Sequence, residues 1–488
     1  MNSGCGGGSG SSTTVAPPSD DATTDVAVYY PENLTVTSPL ESDNGGVSSR
    51  ATITLTNHTA QLSTIVSMLS GGTLSACSFN PELFLQTETS APCYGPTLDY
   101  ENHPDSPGGT ADGQLPSGDL GIWKETNAAT TEACSAAQMN ARMEGIGNKS
   151  YAAFTALASM ICVDLVGGYG IPSESTNDIV ADMNNMATSA SLDASFTTAT
   201  IAHSTVGTQD EFIYTLEYSY TDAFSDVYPM TMVVTHRSDS SGDYTGRFQY
   251  KFDLDTNAGN CPSISGNTPQ TVAGSVLYAR TGSDFAIDAR YANFCGNGAA
   301  GFDSGVVSPS DKYDATTNPD GWGDNFNRFV VAFAESTYLG EYTYSWQAGL
   351  NDMNTRVLNI AVTEDATTGD KEGEAWFGYG ADVSTSDNSI GGFICNWAGP
   401  GNSHTYSTNI QYQSLLQNST TDIFEPVTSF ITYAPTVSCD DADNTFVYDT
   451  DADGDLADED ATANATNNLK PFADYSGSFT VPTAPANF

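Results

Sequence analysis

Positive charge is what this sequence has least of: 14 Lys and Arg stand against 60 Asp and Glu in 488 residues, for a formal net charge of −46. Phosphate backbones are bound by clustered Lys and Arg that release counterions, and no such cluster occurs, which argues against nucleic acid as a partner. The same field disfavours direct contact with an anionic bilayer surface. Long hydrophobic runs are also missing. The longest, Tyr151 to Val166, is interrupted by Asp164 and falls short of the ~20 residues a membrane span needs, so it reads as a core helix. Catalytic signatures are absent as well: there is no Gly-x-Ser-x-Gly elbow, no His-Glu-x-x-His and no P-loop. His58, His103, His203, His236 and His404 lie scattered without partners at motif spacing and read as structural. Two carboxylates distant in sequence can still meet in space, so a glycoside-hydrolase pair is kept as an alternative that sequence alone does not specify.

Nine cysteines are present, but none forms a CxxC, a CxxCH or a zinc-like Cys/His grouping. Setting Cys5 aside leaves Cys77, Cys93, Cys134, Cys162, Cys261, Cys295, Cys395 and Cys439, an even set spread along the chain, as expected for disulfides in an oxidising compartment. Pairing between sequence neighbours is the simplest connectivity: Cys77–Cys93, Cys134–Cys162, Cys261–Cys295 and Cys395–Cys439. Each bridge would contribute roughly 3 kcal/mol by restricting the unfolded chain. The acidic, Lys-poor composition suits a salt-tolerant source or a generally acidic secreted protein.

Cys5 follows Asn2-Ser3-Gly4 and precedes a Gly/Ser stretch, so small residues stand before a cysteine and a flexible polar segment after it. This resembles the processed end of a bacterial lipoprotein. The resemblance implies acylation of Cys5 and a tether that lifts the body off an outer membrane, with membrane contact through the lipid only.

The strongest chemical signal is the twelve-residue loop from Asp449 to Asp460. Asp449, Asp451 and Asp453 occupy the first, third and fifth places, Gly454 the sixth where the chain must turn, and Leu456 the apolar eighth. The carbonyl of Asp455 and the carboxylate of Asp460 complete an oxygen shell suited to Ca²⁺. The loop resembles those of EF-hands, dockerins and thrombospondin type-3 repeats. Asp460 stands where an EF-hand has Glu, Ala457 offers no side-chain ligand, and the flanking sequence is strand-like, so the resemblance implies a structural site and not a sensor. The bland reading of the same run is a solvated acidic spacer. The turn from Asn318 to Asp324 is a weaker acidic candidate.

Along the chain, residues 1–25 read as a Gly/Ser/Thr tether and 26–130 as a mixed, loop-rich region with strand candidates at Val26–Tyr30 and Ala51–Thr56. Residues 131–200 carry helical periodicity. Caps at Thr130 or Thr131 and at Ser150, with Gly145, Gly147 and Asn148 between, predict a helical hairpin, and Ser175 to Asp178 precede a further helix bearing Met183 and Met186. From 205 to 435 the period changes to two. Phe212, Tyr214, Leu216, Tyr218 and Tyr220 alternate with more polar neighbours, as do Phe248, Tyr250, Phe252 and Leu254. Hairpins are expected around Gly282, between Glu335 and Tyr338, and between Thr363 and Glu374. Residues 436–488 form an acidic tail that contains the calcium loop. The fold expected is β-rich α+β: a large antiparallel meander of about ten strands, a curved sheet or sandwich, with the helical hairpin packed on it. Trp322, Trp346, Trp376 and Trp397 are candidates for stacking on sugars, against the commoner fate of Trp packed inside a sheet.

These signs point to a secreted or surface-anchored, calcium-stabilised binding or assembly protein without catalytic activity, acting on an unidentified extracellular ligand or on itself. A self-assembling surface-layer or filament subunit and an extracellular glycan-acting hydrolase are the alternatives.

Overall fold

The computed structural model describes residues 26–41, 58–86, 99–100, 121–122, 124–127, 130–253, 270–295, 325–348, 355–380, 389–392, 394–396, 405–406, 408–427, 436–439, 446–448 and 469–487. After a 3-10 turn at Val26–Val28 come α1 (His58–Leu69), α2 (Glu82–Leu85), β1 (Asp99–Tyr100), α3 (Cys134–Gly167), β2 (Thr176–Asp178) and α4 (Val180–Ala190). The strands then run β3 (Ala194–Val206), β4 (Gln209–Thr221), β5 (Val227–Ser238), β6 (Tyr244–Asp253), β7 (Gln270–Thr281) and β8 (Asp284–Cys295). They continue as β9 (Asn325–Ala334), β10 (Gly340–Ala348), β11 (Thr355–Glu364) and β12 (Lys371–Gly380). Last come β13 (Ile394–Asn396), β14 (Thr405–Tyr406), β15 (Asn409–Gln417), β16 (Phe424–Pro426), β17 (Thr436–Cys439), β18 (Phe446–Tyr448), β19 (Leu469–Pro471) and α5 (Phe472–Ser478).

Fourteen strands form one open sheet in the order β16-β15-β12-β11-β10-β9-β8-β7-β6-β5-β4-β3-β2, with β19 added beside β15. The antiparallel meander expected from the period-two pattern is therefore present, with more strands than the pattern alone suggests. β1, β17 and β18 make a small sheet, and β13 pairs with β14. Each expected hairpin is in place: β7 and β8 turn through Gly282 and Ser283, where Gly282 has φ 62°. Register carries one apolar row across the sheet. Tyr214 pairs with Val234, Val234 with Phe248, Phe248 with Val276, Val276 with Ala289 and Ala289 with Phe329. The row continues through Tyr344, Leu358 and Phe377 to Gln411, and the residues from Tyr214 to Gln411 are all buried.

Against this face lies α3, which crosses the strands from one sheet edge to the other. At its start the Ala133 amide donates to Phe424 O (2.9 Å) and Ser135 Oγ donates to Gln413 Oε1 (2.7 Å). Near its end Asn177 of β2 donates to Asp164 Oδ1 (2.8 Å). Midway, Phe154 packs edge-on to Phe248 at 4.8 Å. The helix is long and apolar enough to cross a membrane by length and composition, but 78% of its apolar window is buried in the protein. A helix that is largely apolar all round is one buried within its own fold.

Three expectations are corrected. The helical hairpin is one continuous 34-residue helix: Gly145, Gly147 and Asn148 do not break it, because all three are buried and tertiary packing offsets the roughly 1 kcal/mol that each glycine costs. Ser150, expected as a cap, sits mid-helix and donates to Ile146 O (2.8 Å), and the N-cap is Ala133. Second, Cys134 and Cys162 lie at opposite ends of that helix, about 40 Å apart at 1.5 Å per residue, too far to bridge. Cys162 instead bonds Cys77, with Cα atoms 5.5 Å apart, which also excludes Cys77–Cys93. Third, Val26–Tyr30 is not a strand. It is a turn pinned to the sheet, where Ala27 O, Val28 O and Tyr29 O accept from His236 Nε2 (2.9 Å), Ser238 Oγ (2.8 Å) and Tyr214 OH (2.5 Å). The expected third helix is present as α4, with Met183 and Met186 buried.

Candidate functional site

The two ends of the sheet differ. At one end the strands join through residues 207–208, 239–243, 282–283, 335–339 and 365–370. At the other, 222–226 and 349–354 are short connections, but residues 254–269, 296–324 and 381–408 intervene between the remaining strands. Long connections on a rigid scaffold are where binding residues concentrate.

Below that second end, register lines up one row on the helix-facing side: Tyr250, Gly274, Tyr291, Asn327, Trp346, Arg356 and Tyr379. Helix α3 adds two cations. Arg142 Cζ lies 5.6 Å from the Trp346 ring and Lys149 Nζ lies 4.7 Å from the Tyr291 ring. Arg356 Cζ stands 5.0 Å from Trp346 and 5.5 Å from Tyr379, so one indole receives two guanidiniums. Such contacts contribute about 0.5–2 kcal/mol each, more as water is excluded. Tyr344 OH donates to Asn327 Oδ1 (2.6 Å) in the same layer.

On the opposite face of the same strands Asp288 is fully buried between two arginines. Arg328 reaches it with two bonds, Nε to Oδ1 (3.0 Å) and Nη2 to Oδ2 (2.9 Å), and Arg290 adds two more, Nε to Oδ1 (2.9 Å) and Nη2 to Oδ2 (2.5 Å). Burial pushes the Asp288 carboxyl up, but the two guanidiniums outweigh it and hold the pKa at about 2. The group stays ionised at neutral pH and serves as a counter-ion. Five of the few basic residues, Arg142, Lys149, Arg290, Arg328 and Arg356, thus gather at one end of an otherwise acidic molecule. Spread along the sequence, these cations look too sparse to matter. Arg328 and Arg356 interrupt or open otherwise apolar strand patterns, and that is the one local signal of their role.

The remaining sequence candidates fall elsewhere. His203 accepts from Glu174 N at Nδ1 (3.1 Å), which leaves Nε2 to donate to Asp210 Oδ1 (2.9 Å), and it stacks on Phe212 at 4.4 Å. His236 Nδ1 accepts from Tyr278 OH (2.9 Å), and burial pulls its pKa down to about 4, so it is neutral. Asp164, buried beneath Asn177, has its pKa raised to about 6 by desolvation. Trp376 is buried against Tyr412 (4.4 Å), so it packs inside and is not a surface sugar platform, and Trp346 faces α3. Among the described residues no group of three or more His, Cys, Asp or Glu could hold a metal ion. The calcium-loop residues Asp449, Asp451, Asp453, Asp455 and Asp460 lie outside the described residues, as do Cys5, Cys93, Cys261, Trp322, Trp397, His103, His404, the turn from Asn318 to Asp324 and the strand expected at Ala51–Thr56.

Compared with protein-family models, curated proteins and solved structures, the chain shows no match.

Proposed function

We propose that this is a surface-anchored binding or assembly protein, non-catalytic, that presents the connecting segments at one end of a helix-covered sheet to an extracellular ligand. One observation carries the reading: the sheet face that could take a ligand is occupied by α3, while residues 254–269, 296–324 and 381–408 leave from one cation-braced end. Recognition placed on segments that connect the strands of a locked base needs no internal cavity. In this reading the lipid on Cys5 holds the body at a bacterial outer membrane, and Ca²⁺ at Asp449, Asp451, Asp453, Asp455 and Asp460 orders the acidic tail.

The test is a binding screen against soluble and cell-wall glycans and extracellular proteins. It uses the whole chain and a variant in which residues 296–324 are replaced by a short Gly-containing turn. Binding by the whole chain and its loss in a variant that still melts cooperatively supports the reading. Hydrolysis of a glycan in the same screen overturns it in favour of the carboxylate-pair enzyme.

A further inference from the structure

β19 does not belong to the sequential meander. The free side of β15 is completed by two separate pieces: β16, its hairpin neighbour, pairs at Leu415–Gln417, and β19 pairs at Asn409–Gln411. β19 arrives from the far C-terminus. The twenty residues 449–468 precede it, an acidic and Ala/Asn-rich stretch whose contour is at most about 70 Å.

The segment after β19 docks by side chains. Tyr475 of α5 accepts at its hydroxyl from Asn359 Nδ2 (2.8 Å) and from the Ile390 amide (3.1 Å). Its ring lies 5.8 Å from Trp376 and stacks on Phe479 at 5.7 Å. Tyr475, Trp376, Ile390, Ile410 and Val357 make an apolar cluster separate from the main core, on the face of the sheet turned away from α3. Only Leu469 of the segment reaches the main core. Beyond α5 the chain crosses the sheet far enough for Asn487 Oδ1 to accept from Arg247 Nη1 (2.7 Å) on β6.

We infer that residues 469–487 are an exchangeable strand-and-latch, and that a second copy of this chain supplies them in trans, pairing its Leu469–Pro471 with Asn409–Gln411 and seating its Tyr475 beneath Asn359. Two observations carry this. The segment closes an edge whose amides pair in the same way with an identical strand from another copy. The anchoring cluster is independent of the main core, so release leaves the body of the sheet packed. Exchange of an identical element makes a symmetric dimer with no new interface chemistry, or a chain of copies where the geometry does not close. This goes beyond the ligand-binding reading and does not depend on it.

The experiment uses the full chain. A fluorophore-labelled peptide spanning residues 469–488 is incubated with unmodified protein, and uptake is followed by anisotropy. A full-length Tyr475→Ala chain, whose own latch is loosened, is mixed with wild type and examined by sedimentation. Saturable uptake that unlabelled peptide blocks, together with a mixed Tyr475→Ala–wild-type dimer, is expected. Tyr475→Phe, which keeps the ring and loses both hydroxyl contacts, should fall between. If the Tyr475→Ala chain is unfolded, peptide uptake by the unmodified protein decides alone. No uptake, or uptake that excess unlabelled peptide leaves unchanged, overturns the inference. Loss of ligand binding in the loop-replaced variant would leave this result untouched, so the two proposals fail separately.

Discussion

The ring of Tyr278 fills the space over Gly246: a Cβ placed on Gly246 would stand 2.0 Å from both Cζ and the hydroxyl oxygen of Tyr278. The two residues face each other across β6 and β7, and the arrangement is repeated four residues along, where Tyr250 lies over Gly274. Each glycine gives up a side chain so that a neighbouring tyrosine can lie flat beneath α3. Gly246→Ala is therefore expected to destabilise the fold by about 2 kcal/mol or more through overpacking. Gly246→Ala with Tyr278→Ala should cost less than the sum of the two single changes. Urea melts of the double-mutant cycle test this, and additivity would show that the ring is free to move aside.

Cys77 and Cys162 close a loop of 85 residues, which in the chain-entropy account stabilises the fold by about 4.6 kcal/mol. Non-reducing peptide mapping should recover this pair and no Cys134–Cys162 bridge. Cys77→Ala with Cys162→Ala should lower the denaturation midpoint without changing β-sheet content by circular dichroism.

Two buried groups set opposing pH dependences. His236 is neutral in the fold with a pKa near 4, so stability falls as pH drops from about 6.5, where the unfolded chain begins to take up the proton. Asp164, raised to about 6, works the other way: its ionisation costs stability as pH rises from about 4 to 6, by at most about 3 kcal/mol. Asp164→Asn should therefore raise the melting temperature above pH 6 and lose that advantage below pH 4. A uniform effect across that range would mean the carboxyl is not the titrating group.

Asp288→Asn leaves Arg290 and Arg328 facing each other with the carboxylate removed and should cost about 3 kcal/mol at pH 7. In the unmodified protein the stabilisation from Asp288 is complete above about pH 4 and lost as pH falls toward 2. Acid melts of the two proteins should converge at the bottom of that window.

Millimolar calcium at constant ionic strength should raise the melting temperature and protect residues 449–460 from proteolysis, and Asp451→Ala with Asp453→Ala should abolish both responses. Unchanged melting and cleavage in the unmodified chain would reduce the loop to an acidic spacer.

Much of the sheet was legible because alternation is a local signal: Phe212 to Tyr220 and Phe248 to Phe252 announce which face is buried. The unbroken α3 was not. Gly145 and Gly147 obey local propensity only when a helix is solvated, and here every side is packed. That same misplaced break hid the Cys77–Cys162 bridge, because a hairpin would have brought Cys162 to Cys134 instead. The Arg142–Trp346–Arg356 stack joins residues brought together by register across the sheet, which no spacing in one segment reveals. The acidic loop was the clearest motif, and it lies beyond the residues from which the site could be built.

Helix α3 precedes in the chain every strand of the sheet it packs against. During synthesis it is complete before β3 exists, and although α1 and α2 are already made to cover part of it, the side that faces the sheet stays open until the strands follow. Those strands pair with sequence neighbours and zip quickly, but the early helix is an aggregation hazard for as long as they are missing. A chaperone that holds extended apolar segments would find its main client site in residues 134–167 of the nascent chain.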